Sequence, residues 1–151
     1  MTQTSPSVSL SGGARMPLIG FGTWQITGEE CYRAVRTALE VGYRHLDTAT
    51  VYENEEQVGR ALRDSGVPRE DVFVTTKCPG DSADPDGTLA ASLEALGVDA
   101  VDLWLVHWPE DGVRHDLWRA MVAARAAGRT RAIGVSNYSV EQLDEVTRVG
   151  G

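Results

Sequence analysis

GYRHLDTATVYENEEQVGRAL, residues 42–62, opens on a glycine, runs through a short strand from about Arg44 to an acid at Asp47, and then becomes helical from about Asn54. Val58, Ala61 and Leu62 share one side of that helix, and Gly66 and Pro68 close it. The stretch therefore reads as a strand that delivers a carboxylate to its C-terminal end before a helix turns the chain back. The arrangement recurs along the sequence. Asp47, Lys77, His107 and Ser136 follow one another at 30, 30 and 29 residues, each just after a short apolar run. About thirty residues is the length of one strand, crossover helix and return to a parallel strand. Each unit thus places one reactive group at a strand end.

The punctuation between these points is regular. Thr27 with Glu30 forms the pattern of a capping box, ahead of Cys31, Ala34, Val35, Ala38 and Leu39 on one face and Gly42 at the end. Val72 to Thr76 reads as a strand, then Asp84 and Pro85 as the N-cap and first residue of a helix that Gly97 stops. Val101 to Val106 is a buried strand, and a helix carrying Leu117, Ala120, Met121 and Ala124 ends at Gly128. Ala132 to Val135 gives another strand, and Ser139 with Gln142 caps a last helix. Before all these, Val8 to Leu10 and Arg15 to Pro17 make a small hairpin around Ser11, Gly12 and Gly13, and Leu18 to Gly22 the first parallel strand.

Composition excludes some function classes. With 14 basic and 22 acidic residues the net charge is −8, which disfavours a nucleic-acid partner. Cys31 and Cys78 lie 47 residues apart without metal-ligand or disulfide spacing, as expected of reduced thiols in a cytoplasmic protein. Residues 1–17 lack the apolar core of a signal peptide, and no apolar run approaches a membrane span. One domain over residues 1–151 is expected, with no linker or second domain.

Alternating strands and helices predict a parallel sheet with its functional groups at the strands' C-terminal ends. Two folds satisfy that: a (β/α) barrel, with Thr23, Asp47, Lys77, His107 and Ser136 around one rim, or an open, doubly wound five-stranded sheet. Periodicity alone leaves both open. Residues 42–62, however, resemble the signature of the aldo-keto reductase family. VTTK at 74–77, DLWLVHWP at 102–109 and IGVSNYS at 133–139 resemble its next three landmarks, in order and at suitable distances. The resemblance implies an α/β fold of the parallel (β/α), TIM-barrel type. At 151 residues, against ~250 for a full barrel, about five of eight βα units are expected, preceded by the β-hairpin.

The resemblance also implies reduction of aldehydes and ketones with NADP(H), with NAD(H) as the less common cofactor, through an Asp, Tyr, Lys and His tetrad matching Asp47, Tyr52, Lys77 and His107. The chemistry has its own logic. Hydride delivered to a carbonyl carbon leaves an alkoxide, so an acid must protonate the oxygen as it gains charge. A phenol is a weak acid, and a lysine ammonium beside it favours the phenolate. Tyr52 is then the proton donor, Lys77 its tuner and Asp47 the partner of Lys77. A neutral His107 would orient the carbonyl by donating a hydrogen bond. Ser136 and Asn137 match the positions that hold the nicotinamide carboxamide, and Thr23 and Asp47 are expected beside the same ring. Trp24, Val51, Cys78 and Trp108 follow strand ends and are expected to form an apolar wall for small or aromatic carbonyl substrates.

Other signals weaken on inspection. Gly20, Phe21 and Gly22 imitate the start of a dinucleotide fingerprint, but no third glycine opens a helix. Glu53, Glu55 and Glu56 are acids expected near a helix N-terminus. His45, His107 and His115 lack metal-ligand spacing, so no metal is expected. Two departures from the family pattern stand out. The loops at 79–86 and 110–116 are short, which would favour broad substrate acceptance. In a chain ending at Gly151 the sixth to eighth strands are missing, and with them the family's grip on the 2′-phosphate. Cofactor binding that is weak or absent is therefore expected. The alternative reading is a truncated, non-catalytic fragment or interaction module of the same scaffold, whose open sheet edges recruit a second copy or a complementing fragment.

Overall fold

A computed structural model describes residues 6–110 and 112–150. Five parallel strands, each followed by a helix, form one sheet in sequence order. They are β3 (Phe21–Gly22), β4 (His45–Asp47), β5 (Phe73–Cys78), β6 (Val101–Val106) and β7 (Thr130–Val135), and a separate antiparallel hairpin of β1 (Ser7–Ser9) and β2 (Arg15–Pro17) precedes them. The helices are α1 (Gly28–Glu40), α2 (Glu55–Asp64), α3 (Pro85–Leu96), α4 (His115–Ala126) and α5 (Val140–Val149). Consecutive strands pair throughout, so the sheet curls in one direction as a barrel does, without the switch point of a doubly wound sheet.

Strand parity decides what each side chain meets. Leu46, Val74, Trp104 and Val106 face the helices and join Val35, Leu39, Leu117 and Met121 in the core. The alternate residues face the concave side. There Thr75 pairs in register with Leu103, Lys77 with Leu105, and His45 bonds Thr75 through Nε2 and Oγ1 at 3.0 Å. Gly59 lets α2 approach α3 closely, because a Cβ at that position would lie 2.3 Å from the Leu96 carbonyl oxygen.

Most helix ends match their sequence signals. The Asp84 side chain accepts from Gly87 N, Gly97 stops α3 at φ 67°, and Ser139 with Gln142 forms both bonds of a capping box. The Thr27 side chain, by contrast, makes no capping bond; Gly28, at φ 53°, makes a left-handed step into α1. The first parallel strand is also shorter than expected. Leu18 N donates to Pro6 O, so Leu18 continues the hairpin, and Gly20 packs against the His45 ring before Phe21 joins the sheet. Conversely β5 runs on through Lys77 and Cys78, two residues past its predicted end.

Candidate active site

The C-terminal ends of β4, β5 and β6 bring Asp47, Lys77 and His107 together, and a single 3₁₀ turn after β4, Thr50–Tyr52, swings Tyr52 over them. Lys77 is 6% exposed and lies on a strand that is buried along its whole length. A buried ammonium needs a partner for each N–H. Lys77 Nζ has three: Asp47 Oδ1 in an ion pair, the Thr48 carbonyl at 2.9 Å, and Tyr52 Oη at 3.4 Å. The carboxylate is a third exposed and the ammonium is not, so this is a half-buried pair with its negative end toward solvent.

Tyr52 is bordered by aromatic rings. Trp24 lies 4.9 Å away on one side, and the His107 ring meets it edge-on at 5.6 Å. Trp108 stacks on His107 at 3.6 Å. His107 is 3% exposed, and neither ring nitrogen has a protein partner among the described residues; Nδ1 is wholly buried. Burial pushes its pKa down to about 4, and the Lys77 charge adds to the effect against a smaller opposing pull from Asp47. At neutral pH the ring is uncharged, with one N–H to donate and one nitrogen to accept.

Further round the rim, Ser136 is half-buried and Asn137 exposed at the end of β7. Asn137 adopts φ 62°, a left-handed conformation that asparagine tolerates, and its Nδ2 donates to the His107 carbonyl at 2.8 Å and to Ser136 Oγ at 3.1 Å. These bonds tie the β7 end to the residue that carries the imidazole.

The expected apolar wall is partly there. Trp24, Val51 and Trp108 are exposed beside Tyr52 and His107. Cys78 does not join them. It follows Lys77 on a strand, so its side chain points to the opposite face; it is fully buried in the helix-facing core, and its thiol donates to Pro79 O at 3.4 Å. Burial raises its pKa to about 11, which suits an inert core thiol. Thr23 also differs from expectation. It is fully buried, and its hydroxyl lies within bonding distance of Asp47 O (3.2 Å) and Asn54 Oδ1 (3.4 Å), so it braces the site from behind. Among the described residues no group of His, Cys, Asp or Glu could hold a metal ion, and no helix is long and apolar enough to cross a membrane.

Two supporting residues went unread in the sequence. Thr50 Oγ1 donates to the Lys77 carbonyl at 2.9 Å, pinning the turn that carries Tyr52 to β5. Asn54, where the second helix was expected to begin, stands at the N-cap position of α2, yet its side chain caps nothing and is fully buried. Its amide donates to carbonyls 31 and 28 residues back, a reach that left no local pattern to detect.

The model of the aldo/keto reductase family matches residues 18–150. The chain belongs to the aldo-keto reductase family. An aldo-keto reductase from Mycolicibacterium smegmatis is 47% identical over 144 residues, covering 92% of this chain and 52% of the relative. Among solved structures, an aldo/keto reductase from Brucella melitensis superposes with a TM-score of 0.91 at 41% identity, covering 98% of this chain and 60% of that one. An aldo-keto reductase from Bombyx mori in complex with NADP gives a TM-score of 0.88 at 36% identity, over 95% and 54% of the two chains. The chain spans about half the length of the curated relatives it matches. Its fold is the incomplete TIM barrel of this family, five βα units behind an N-terminal hairpin.

Proposed function

We propose that this chain carries the proton-donating centre of an NADPH-dependent reductase of aldehydes and ketones. The observation that carries the proposal is the Lys77 ammonium, held at once by the Asp47 carboxylate, the Thr48 carbonyl and the Tyr52 phenol. Such an ammonium stabilises the phenolate that remains when Tyr52 gives up its proton, and Asp47 keeps the ammonium in place. The partnerless imidazole next to that phenol fits a carbonyl oxygen as its missing acceptor.

The residues present also suit the nicotinamide end of the cofactor. Ser136 and the free amide oxygen of Asn137 offer a carboxamide its bonds on the same rim, and Asp47 and the aromatic rings border the space between. When bound, the reduced nicotinamide supplies the hydride that goes to the carbonyl carbon. Tyr52 transfers its proton from Oη to the carbonyl oxygen as that oxygen becomes an alkoxide, so aldehyde, hydride and proton balance to an alcohol. His107 donates a hydrogen bond to the same oxygen and orients it without adding charge. Trp24, Val51 and Trp108 offer an apolar wall that fits a small or aromatic substrate. NADP(H) is the cofactor we favour, with NAD(H) the comparison. The two free, buried thiols suit a reducing compartment, and we place the protein in the cytoplasm.

The test is NADPH oxidation with 4-nitrobenzaldehyde, comparing the chain with Tyr52→Phe, alongside NADPH binding by fluorescence. Turnover that falls at least ~100-fold while binding persists is expected; equal rates would sink the role of Tyr52. A second reading rests on a separate observation. Among the described residues β3 and β7 each pair on one side only, and Leu18 and Ile19 are exposed beside β3. Exposed edges recruit another chain, so self-association or a complementing fragment would show as a larger species in size-exclusion chromatography. A well-behaved monomer would count against it.

A further inference from the structure

Asn54 occupies a position that no step of the proposed chemistry uses. It is fully buried, and all of its amide capacity is spent. Nδ2 donates to the carbonyls of Thr23 at 2.8 Å and Ile26 at 2.9 Å. Oδ1 accepts from Thr48 Oγ1 at 2.7 Å and, more weakly, from Thr23 Oγ1 at 3.4 Å.

The two carbonyls bracket a turn that is only loosely closed by its own backbone. Its own backbone bond, Ile26 N to Thr23 O, is 3.4 Å long. At its tip Gln25 takes φ 64°, a left-handed conformation that is strained for a residue with a Cβ. Beside Gln25 stands Trp24, 58% exposed, with its ring 4.9 Å from that of Tyr52. An exposed indole on a strained turn would drift from the phenol without a brace behind it. The acceptor side of the same amide holds Thr48, whose carbonyl receives Lys77 Nζ.

We infer that Asn54 is a positioning residue that clamps the Thr23–Ile26 turn and thereby fixes Trp24 as the substrate-facing wall beside Tyr52. The clamp stands on geometry alone; its effect on substrate rests on the carbonyl-reductase reading. The ligand chemistry it selects is a flat, apolar carbonyl compound, which the fixed indole contacts and a small aliphatic aldehyde does not.

Two variants separate the halves of the amide. Asn54→Asp keeps an acceptor for Thr48 and loses both donors to the turn, whereas Thr48→Val removes the other side and leaves the turn held. Hydrogen exchange is the readout independent of turnover. In the unmodified chain the Ile26 amide should be protected despite lying in an exposed turn. Protection should fall at least tenfold in Asn54→Asp and stay within twofold in Thr48→Val. Steady-state kinetics is the second readout. Asn54→Asp and Trp24→Ala should each raise KM for 4-nitrobenzaldehyde about tenfold, and in Asn54→Asp kcat should stay within threefold. Combining them should add nothing further, because Asn54 acts through Trp24. An Ile26 amide that exchanges freely in the unmodified chain would overturn the clamp, even if Asn54→Asp failed to fold. Unchanged protection in Asn54→Asp would overturn it too. Additive KM effects, or an unchanged KM in Trp24→Ala, would overturn the wall. No turnover in any variant would sink the reductase reading and leave the exchange result to decide the clamp.

Discussion

Acidification from pH 7.5 to 4.5 should leave His107 neutral while an ordinary histidine side chain gains a proton. The ring is 3% exposed, lacks a partner on either nitrogen among the described residues, and lies near the Lys77 charge, and its pKa is pushed down to about 4 from an ordinary value of ~6.5. At about 1.4 kcal/mol per pH unit, that difference amounts to roughly 3 kcal/mol against the imidazolium. The sign follows from linkage. Between pH ~6.5 and about 4 the unfolded chain binds a proton at this position that the folded chain does not, so stability falls as pH falls through that window. His45, whose pKa burial also lowers, adds a slope of the same sign, so the measurement must isolate His107. NMR titration of the Cε1–H signals does so, since there are only three histidines and His107→Gln assigns one by its disappearance. We expect that signal to stay at its neutral position down to about pH 5. Urea unfolding should show a shallower loss of stability in His107→Gln than in the unmodified chain between pH 7 and 4.5. A midpoint at pH 6 or above would refute the reasoning, and with it a permanently neutral carbonyl donor.

Three further outcomes can be checked separately. Lys77→Met removes the charge that stabilises a Tyr52 phenolate, and kcat for 4-nitrobenzaldehyde should fall by ~10²–10⁴-fold; an unchanged kcat would remove Lys77 from the chemistry. Gly59→Ala should cost ~1–3 kcal/mol in urea unfolding, because its Cβ meets backbone at Leu96 that cannot swing aside; no loss would mean α2 and α3 are not in contact there. Asp84→Ala should cost about 1 kcal/mol through the lost bond to Gly87 N, while Thr27→Ala, whose side chain caps nothing, should stay within ~0.5 kcal/mol; equal losses would contradict the two helix starts.

What could be read in advance depended on whether the signal was local. Strand-to-helix alternation, the Asp84 cap and the Ser139–Gln142 box each lie within a few residues, and each is present in the structure. Asp47, Lys77 and His107 stand out by their spacing at strand ends, which parallel strands in register bring together, whereas Tyr52 was legible only through the resemblance to the family. Parity would have corrected Cys78, since neighbours on a strand cannot both face the site once Lys77 does. Thr27 shows the limit of a pattern: Ser/Thr-x-x-Glu names the residue types of a capping box but not the backbone angles, and Gly28 takes a left-handed step there. Thr23, Asn54 and Thr50 were illegible for another reason. The bonds of Thr23 to Asp47, Thr50 to Lys77 and Asn54 to Thr23 run 24 to 31 positions along the chain, and only the folded chain brings those partners within reach.

The central claim is that the phenol held by Lys77 supplies the proton when a carbonyl accepts hydride. Its most direct test is a single-turnover reaction of 4-nitrobenzaldehyde with NADPH deuterated at C4, run on the unmodified chain and on Tyr52→Phe, with cofactor binding measured in both. We expect 4-nitrobenzyl alcohol carrying one deuterium on its carbinol carbon, formed at least ~100-fold more slowly by Tyr52→Phe although NADPH still binds. Equal rates in the two proteins, or an alcohol without deuterium, would contradict it.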